Sequence, residues 1–300
     1  MNIRGVTLKV ALPLATAAAV CTVVVIGVMP DDDSPHPEPT AAGGQVPAAP
    51  PVQSTVENSD DPATWRLPIE TYMPTLSATL AVAHVRGRLM DECMSKAGFD
   101  DWKPAPDLPD IGGRSFTDGR YGISDAEQVA KWGYHRDPVL MKAYNDAMLE
   151  GAVDESGAPD EQVRQCAQQA DTGVTAAQTN PLIEQIDIEG YKASLDEPAV
   201  KDVFAKWSAC MKAEGYTYAT PPDAQEDPRF MDPENITAEE IATAKTDLVC
   251  RDRHQVAETW FNTEVKLQRQ AITENQDALK DIRTANQAQA AKATKLARSQ

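Results

Sequence analysis

The residues that could do chemistry in this chain are five cysteines, four histidines and a large excess of carboxylates. Two cysteines sit in the same local pattern. Cys93-Met94-Ser95-Lys96-Ala97-Gly98-Phe99 and Cys210-Met211-Lys212-Ala213-Glu214-Gly215-Tyr216 both read Cys-Met-x-x-x-Gly-aromatic. A repeated device of this kind points to a duplicated structural unit. With Cys21 set aside, Cys93, Cys166, Cys210 and Cys250 form an even set, which in an exported domain reads as a disulfide framework. Three connectivities are open; the duplication favours Cys93 with Cys166 and Cys210 with Cys250. A zinc site is the rival chemistry, but the chain has no Cys-x-x-Cys pair and few histidines.

The other chemical candidates are weaker. His84 falls within a helical pattern, where a partly buried structural role is expected. His135 follows Gly133-Tyr134 at a helix end, where it can cap carbonyls. His254 stands four residues after Cys250 and could form a metal pair only if that cysteine is reduced. No Gly-x-Ser-x-Gly, His-Glu-x-x-His or phosphate-cradling glycine loop occurs, and nothing calls for a cofactor. Carboxylates are numerous enough for an acid and base pair, yet no pair stands out. Trp207, Trp260 and Phe261 could form a carbohydrate or partner platform, but beside the cysteines they read better as core.

The elements that position these residues begin with an address. Val10–Met29 is uncharged, follows Arg4 and Lys9, and precedes Asp31, Asp32 and Asp33. That run is long enough to span a bilayer, and its flanks place residues 1–9 in the cytoplasm and the rest outside. No small-x-small cleavage site ends it, and Val20 before Cys21 spoils a lipid-attachment signal, so a retained signal anchor is expected. Residues 30–64 are Pro-rich and read as an extended, disordered linker, any thirty residues of which could reach on the order of 90 Å at ~3.1 Å each. The formal charge of -18 excludes nucleic acid as a partner.

Two cysteine-bearing helical units follow, residues 65–175 and 176–300, and no alternating strand pattern interrupts them. The fold class is all-α. In the first unit Tyr72, Leu76, Leu80, Ala83 and Leu89 mark a helix ending at Gly98. Ser124 with Glu127 makes a capping box for a short helix to Gly133, Pro138 opens another to about Leu149, and Asp160 can cap the helix bearing Cys166. In the second, Pro198 opens a helix with Val200, Val203, Phe204, Trp207 and Met211 on one side. From Asn235 onward neither Gly nor Pro occurs, which predicts one long helix capped by Thr237 and Glu240. Val249, Val256, Trp260, Leu267, Ala271, Ala278 and Ile282 trace an eleven-residue repeat, favouring a straight or slightly right-handed bundle over an ordinary coiled coil.

Trp207–Tyr216, Arg120-Tyr-Gly-Ile and Gly133-Tyr-His135 resemble stretches of exported actinobacterial proteins that are lipoprotein-like or membrane-anchored. The resemblance covers residues 90–260 and implies cysteine-braced helical units outside the membrane; no activity is established for that group. The expectation is a single-pass membrane protein whose helical domain binds an envelope protein or the cell wall. One version is an accessory component of an envelope transport complex, with the long helix as docking arm. Arg283, Lys292, Lys295 and Arg298 are the candidate partner-binding residues, and removing 283–300 should then leave the domain folded. An envelope hydrolase using paired carboxylates and a redox-responsive sensor are the alternatives.

Overall fold

The computed structural model describes residues 61–111, 116–176 and 179–298, and every regular element among them is helical. The apolar run Val10–Met29 and linker residues 30–60 lie outside the described residues. Among those described, no helix is long and apolar enough to cross a membrane.

Short 3-10 turns at Pro62–Thr64 and Pro68–Tyr72 lead into α1 (Leu76–Lys96). Then come α2 (Ala126–Trp132), α3 (Pro138–Gly151) and α4 (Asp160–Gly173). The second half contains α5 (Pro181–Asp196), α6 (Pro198–Ala213), the short α7 (Pro221–Gln225), α8 (Ala238–Arg253), α9 (Val256–Glu274) and α10 (Gln276–Arg298).

Proline at the first turn starts α3, α5 and α6, where its missing N–H costs nothing and its φ is already helical. Two caps differ from expectation. Asp125, not Ser124, caps α2 by accepting from the Glu127 and Gln128 N–H groups. A carboxylate one residue closer reaches both orphan donors. Asp160 is the first residue of α4 and Pro159 its N-cap, so its carboxylate sits in the favourable first turn instead.

The main core joins the two ends of the described residues. Trp65, Leu67, Ile69 and Tyr72 pack with Ile183 and Ile186 of α5, Phe204 and Trp207 of α6, and Trp260 and Phe261 of α9. The Trp65 and Phe261 rings lie 4.7 Å apart, and Tyr121 and Phe204 meet Trp260 edge-on at 5.5 and 5.2 Å. The expected platform residues Trp207, Trp260 and Phe261 are thus interior. A satellite core of Met90, Met94, Cys166 and Ala170 joins α1 to α4.

The repeated cysteine motif is one device built twice. Cys93 of α1 is bonded to Cys166 of α4, with Cα atoms 5.6 Å apart, and Cys210 of α6 to Cys250 of α8, at 5.8 Å. Gly98 and Gly215 both take the left-handed φ that ends a helix cheaply only for glycine. Beyond each, the aromatic N–H returns to the methionine carbonyl: Phe99 to Met94 at 3.0 Å, Tyr216 to Met211 at 2.9 Å. Both methionines are fully buried. The motif therefore staples a helix end and turns the chain sharply out of it.

The single long C-terminal helix is not found. Gln255, left-handed at φ 51°, separates α8 from α9, and Asn275 separates α9 from α10. The chain must bend because α8 packs on α2, α6 and α7, α9 on α5 and α6, and α10 on α1. A straight helix could not serve all three. The eleven-residue stripe holds only in part: Val256 and Trp260 are buried and Ala271 and Ile282 pack against the core, but Val249 is 54 % exposed, while Leu248, Cys250 and Arg251 face inward. The α1 stripe is also out of phase, since Leu76 is 76 % exposed and Val82, Val85, Met90 and Met94 are buried.

Nor is the end of the chain a free arm. Ala293 and Leu296 of α10 close a small core with Val82, Val85 and Val174. Removing 283–300 would bare that core, contrary to the expectation that the domain would be unaffected.

Candidate functional site

Helix α9 carries polar residues where its buried face should stay apolar. Val256 and Trp260 are followed, at four-residue steps, by Glu264 and Gln268, each fully buried. Glu264 is the centre of the polar interior. Arg120, in the loop before α2, binds it through Nε at 3.1 Å and Nη2 at 2.6 Å. The Tyr121 hydroxyl donates at 2.8 Å and the Gln268 amide at 3.0 Å. Gln268 in turn accepts the Ile69 N–H, fixing the N-terminal segment.

Arg120 is shared further. Its Nη2 lies 3.0 Å from Asp187 Oδ1 on α5, and its guanidinium stacks over Tyr191 at 4.9 Å. Burial works against the Arg120 charge, but the bonds to Glu264 outweigh it and raise its pKa. The Tyr121 hydroxyl is pushed up by burial and then by the Glu264 charge. On the rim, Glu70 and Asp187 are both raised by burial, with Arg120 pulling the other way.

Those two rim acids give a signed pH dependence. Their pKa values in the folded state exceed the unfolded ones, so their stabilising contribution is full below the ordinary carboxylate range and lost as pH rises through the raised values. Asp227 acts oppositely. Hydrogen bonds from Arg229 hold its carboxyl below the usual range, so its contribution is present above that range and lost at lower pH. Glu70→Gln with Asp187→Asn should therefore flatten the decline in urea midpoint above the ordinary carboxylate range while leaving the acid limb in place.

Two further buried carboxylates fasten the chain on either side of α2. Asp247 of α8 accepts from Trp207 Nε1 and Arg251 Nε, each at 2.7 Å, and Arg251 Nη1 donates to the Tyr121 carbonyl. A Cβ on Gly122 would stand 2.0 Å from Arg251 Nη1, and Gly122 has φ 100°, so only glycine fits. Glu240 is fully buried and accepts the Tyr134 N–H at 3.0 Å. It does not complete the capping box with Thr237, because its carboxylate is spent at the end of α2. A Cβ on Gly133 would stand 2.4 Å from it.

The loop's two notable stretches, Arg120-Tyr-Gly-Ile and Gly133-Tyr-His135, are thus the two that meet buried carboxylates. They clamp the chain around α2 onto α8 and α9. Both oxygens of Glu264 are taken by donors, which leaves this centre suited to holding structure.

Each of the other candidates has a definite place. His84 is exposed, not partly buried, and pairs with Asp107 at 2.8 Å, because it falls on the outer face of α1. His135 presents Nε2 to Glu240 Oε1 at 3.7 Å and does not cap carbonyls with its ring. His254 closes α8, and Cys250 beside it is disulfide-bonded. Among the described residues no group of three or more His, Cys, Asp or Glu could hold a metal.

Arg283 stacks on Tyr72 at 5.6 Å, and Lys292 Nζ donates to the Thr172 carbonyl at 3.2 Å. Lys292, Lys295 and Arg298 are exposed and follow three-residue steps along one side of α10. Arg283 stands apart from them. A shallow cleft of about 370 Å³ lies between the start of α6 and α9, lined by Glu197, Thr259, Asn262, Thr263 and Lys266 among others. It offers one carboxylate, one ammonium and neutral hydrogen-bonding groups.

No family model matches this chain, and neither does any curated protein or any solved structure.

Proposed function

We propose that this chain is a binding or scaffold protein of the cell envelope, tethered by its N-terminal apolar run with the helical domain outside the cytoplasm. The observation that carries the reading is the pair of disulfides, each stapling two helices that are distant in sequence. Disulfides of this structural kind persist in oxidising compartments and are rare in the cytosol. The apolar run with its basic leader and acidic follower supplies the address.

Binding is favoured over catalysis by how the interior charges are used. Glu264, Asp247 and Arg251 are buried and committed to one another or to nearby backbone and ring donors. Partners of the domain would be another envelope protein or the wall itself. The exposed row Lys292, Lys295 and Arg298 suits anionic wall polymers or head groups. An accessory role in an envelope transport complex is the specific form of this proposal.

Thiol trapping tests it. Alkylation in intact cells should find Cys93, Cys166, Cys210 and Cys250 blocked in the full chain and free in a variant lacking Val10–Met29. Free thiols in the full chain, together with resistance to protease added outside the cell, would refute the proposal.

A further inference from the structure

Helix α3 is the least accommodated element of the fold. Eight of its fourteen residues are apolar, and they are distributed around its circumference, a composition that normally marks a buried helix. Yet none of its residues is buried. Val139, Leu140, Met148 and Leu149 are 76, 40, 50 and 67 % exposed, and Val153 just beyond is 61 % exposed.

Among the described residues, the helix rests on a strap. Pro104, in the loop that leaves α1, lies against Gly87 of α1, while Ala105 of the same loop lies against Gly151 at the end of α3. Arg136, just before α3, donates to the Ile111 carbonyl at the loop's far end. The Pro-rich residues 103–111 therefore run between α1 and α3, and among the described residues nothing buries Val139, Leu140, Met148 or Leu149.

Charge says what would cover it. From Arg136 to Arg164 the chain has seven carboxylates and three bases, and each base is already paired: Arg136 with Asp118, Lys142 with Asp146 and Arg164 with Glu161. Such a surface would be repelled by an anionic bilayer and by a second copy of a chain with net charge -18. It is complementary to a cationic amphipathic segment, whose apolar face would cover Met148 and Leu149 while its bases meet Glu150 and its neighbours.

We infer that α3 is a docking site for a basic amphipathic helix of a partner protein. This inference rests on the binding reading above, but not on the compartment: its failure would leave the thiol-trapping result unchanged.

The probe is a synthetic amphipathic helix of Leu and Lys, labelled for fluorescence anisotropy. It is titrated against the full chain in nanodiscs of neutral lipid. Binding is expected at low salt and should weaken as ionic strength rises. Met148→Ser with Leu149→Ser should weaken it about tenfold, with the thermal transition unchanged because both side chains are exposed. Asp146→Lys with Glu150→Lys should weaken it as well. Equal binding by the apolar-to-serine variant would overturn the inference, since attraction to the overall negative charge would then explain it. So would equal binding of a Leu and Glu version of the peptide, binding to empty nanodiscs alone, or self-association through α3 seen by sedimentation.

Discussion

Glu264→Leu is expected to lower the unfolding free energy by about 3–5 kcal/mol, because it removes the fully buried partner of Arg120 and leaves that guanidinium with Asp187 on the rim alone. Arg120, the Tyr121 hydroxyl and the Gln268 amide would all lose the acceptor they now share. The double variant Arg120→Met with Glu264→Leu should recover a large part of that loss, since the desolvation cost of both charges disappears with them. Urea unfolding at constant denaturant slope measures both. If the double variant is as unstable as the single one, packing around the hydroxyl and amide governs this centre, and the ion pair does not. The sign of the coupling distinguishes a clamp that holds through charge from one that holds through shape.

The second large effect belongs to the disulfides. Breaking the bridge from Cys210 to Cys250, which closes 40 residues, should cost roughly 4 kcal/mol in the chain-entropy model. The bridge from Cys93 to Cys166 closes 73 residues and gives a similar entropic figure. Their consequences should nevertheless differ. Cys210 and Cys250 lie in the main core, whereas Cys93 and Cys166 hold the satellite core between α1 and α4. Replacing Cys210 and Cys250 with Ala should shift the whole denaturation curve. Replacing Cys93 and Cys166 should loosen α1 and α4 first, read as faster amide exchange there before global unfolding. A uniform exchange profile in the second variant would show that the two cores unfold as one.

Much of this was legible in the chain. Helix starts at Pro138 and Pro198 and stops at Gly98, Gly133 and Gly215 follow from local backbone physics, and local rules found them. The disulfide pairing follows from the duplicated motif. Helix α5 carries an ordinary signal too, Asn180 before Pro181, although no reading of the sequence singled it out.

What was hidden is the work of tertiary packing. Gln255 does not break a helix by type, and Asn275, whose amide bonds the Ala271 carbonyl, is a weaker stop than glycine. The bends arise because three other parts of the molecule need three directions from one run. The polar centre was hidden for a related reason, since Arg120 and Glu264 are 144 positions apart. One sign was present: Glu264 and Gln268 continue the four-residue step of Val256 and Trp260, and polar residues in an apolar stripe ask for buried partners.

The way residues 65–72 share one core with α9 and α10 has a consequence for how the protein is made. Ile69 gives its N–H to Gln268, 199 positions later, and the Tyr72 carbonyl accepts from Asn286, 214 positions later. During synthesis the segment from Trp65 to Tyr72 emerges long before α9 and α10 exist to receive it. Local pairs such as α5 with α6 can form early, but the aromatic centre closes only after nearly the whole chain has been delivered. Until then Trp65 and Ile69 stay wet, and a chain cut short before α9 would carry them exposed. The last helices made are the ones that admit Trp65–Tyr72, made long before them.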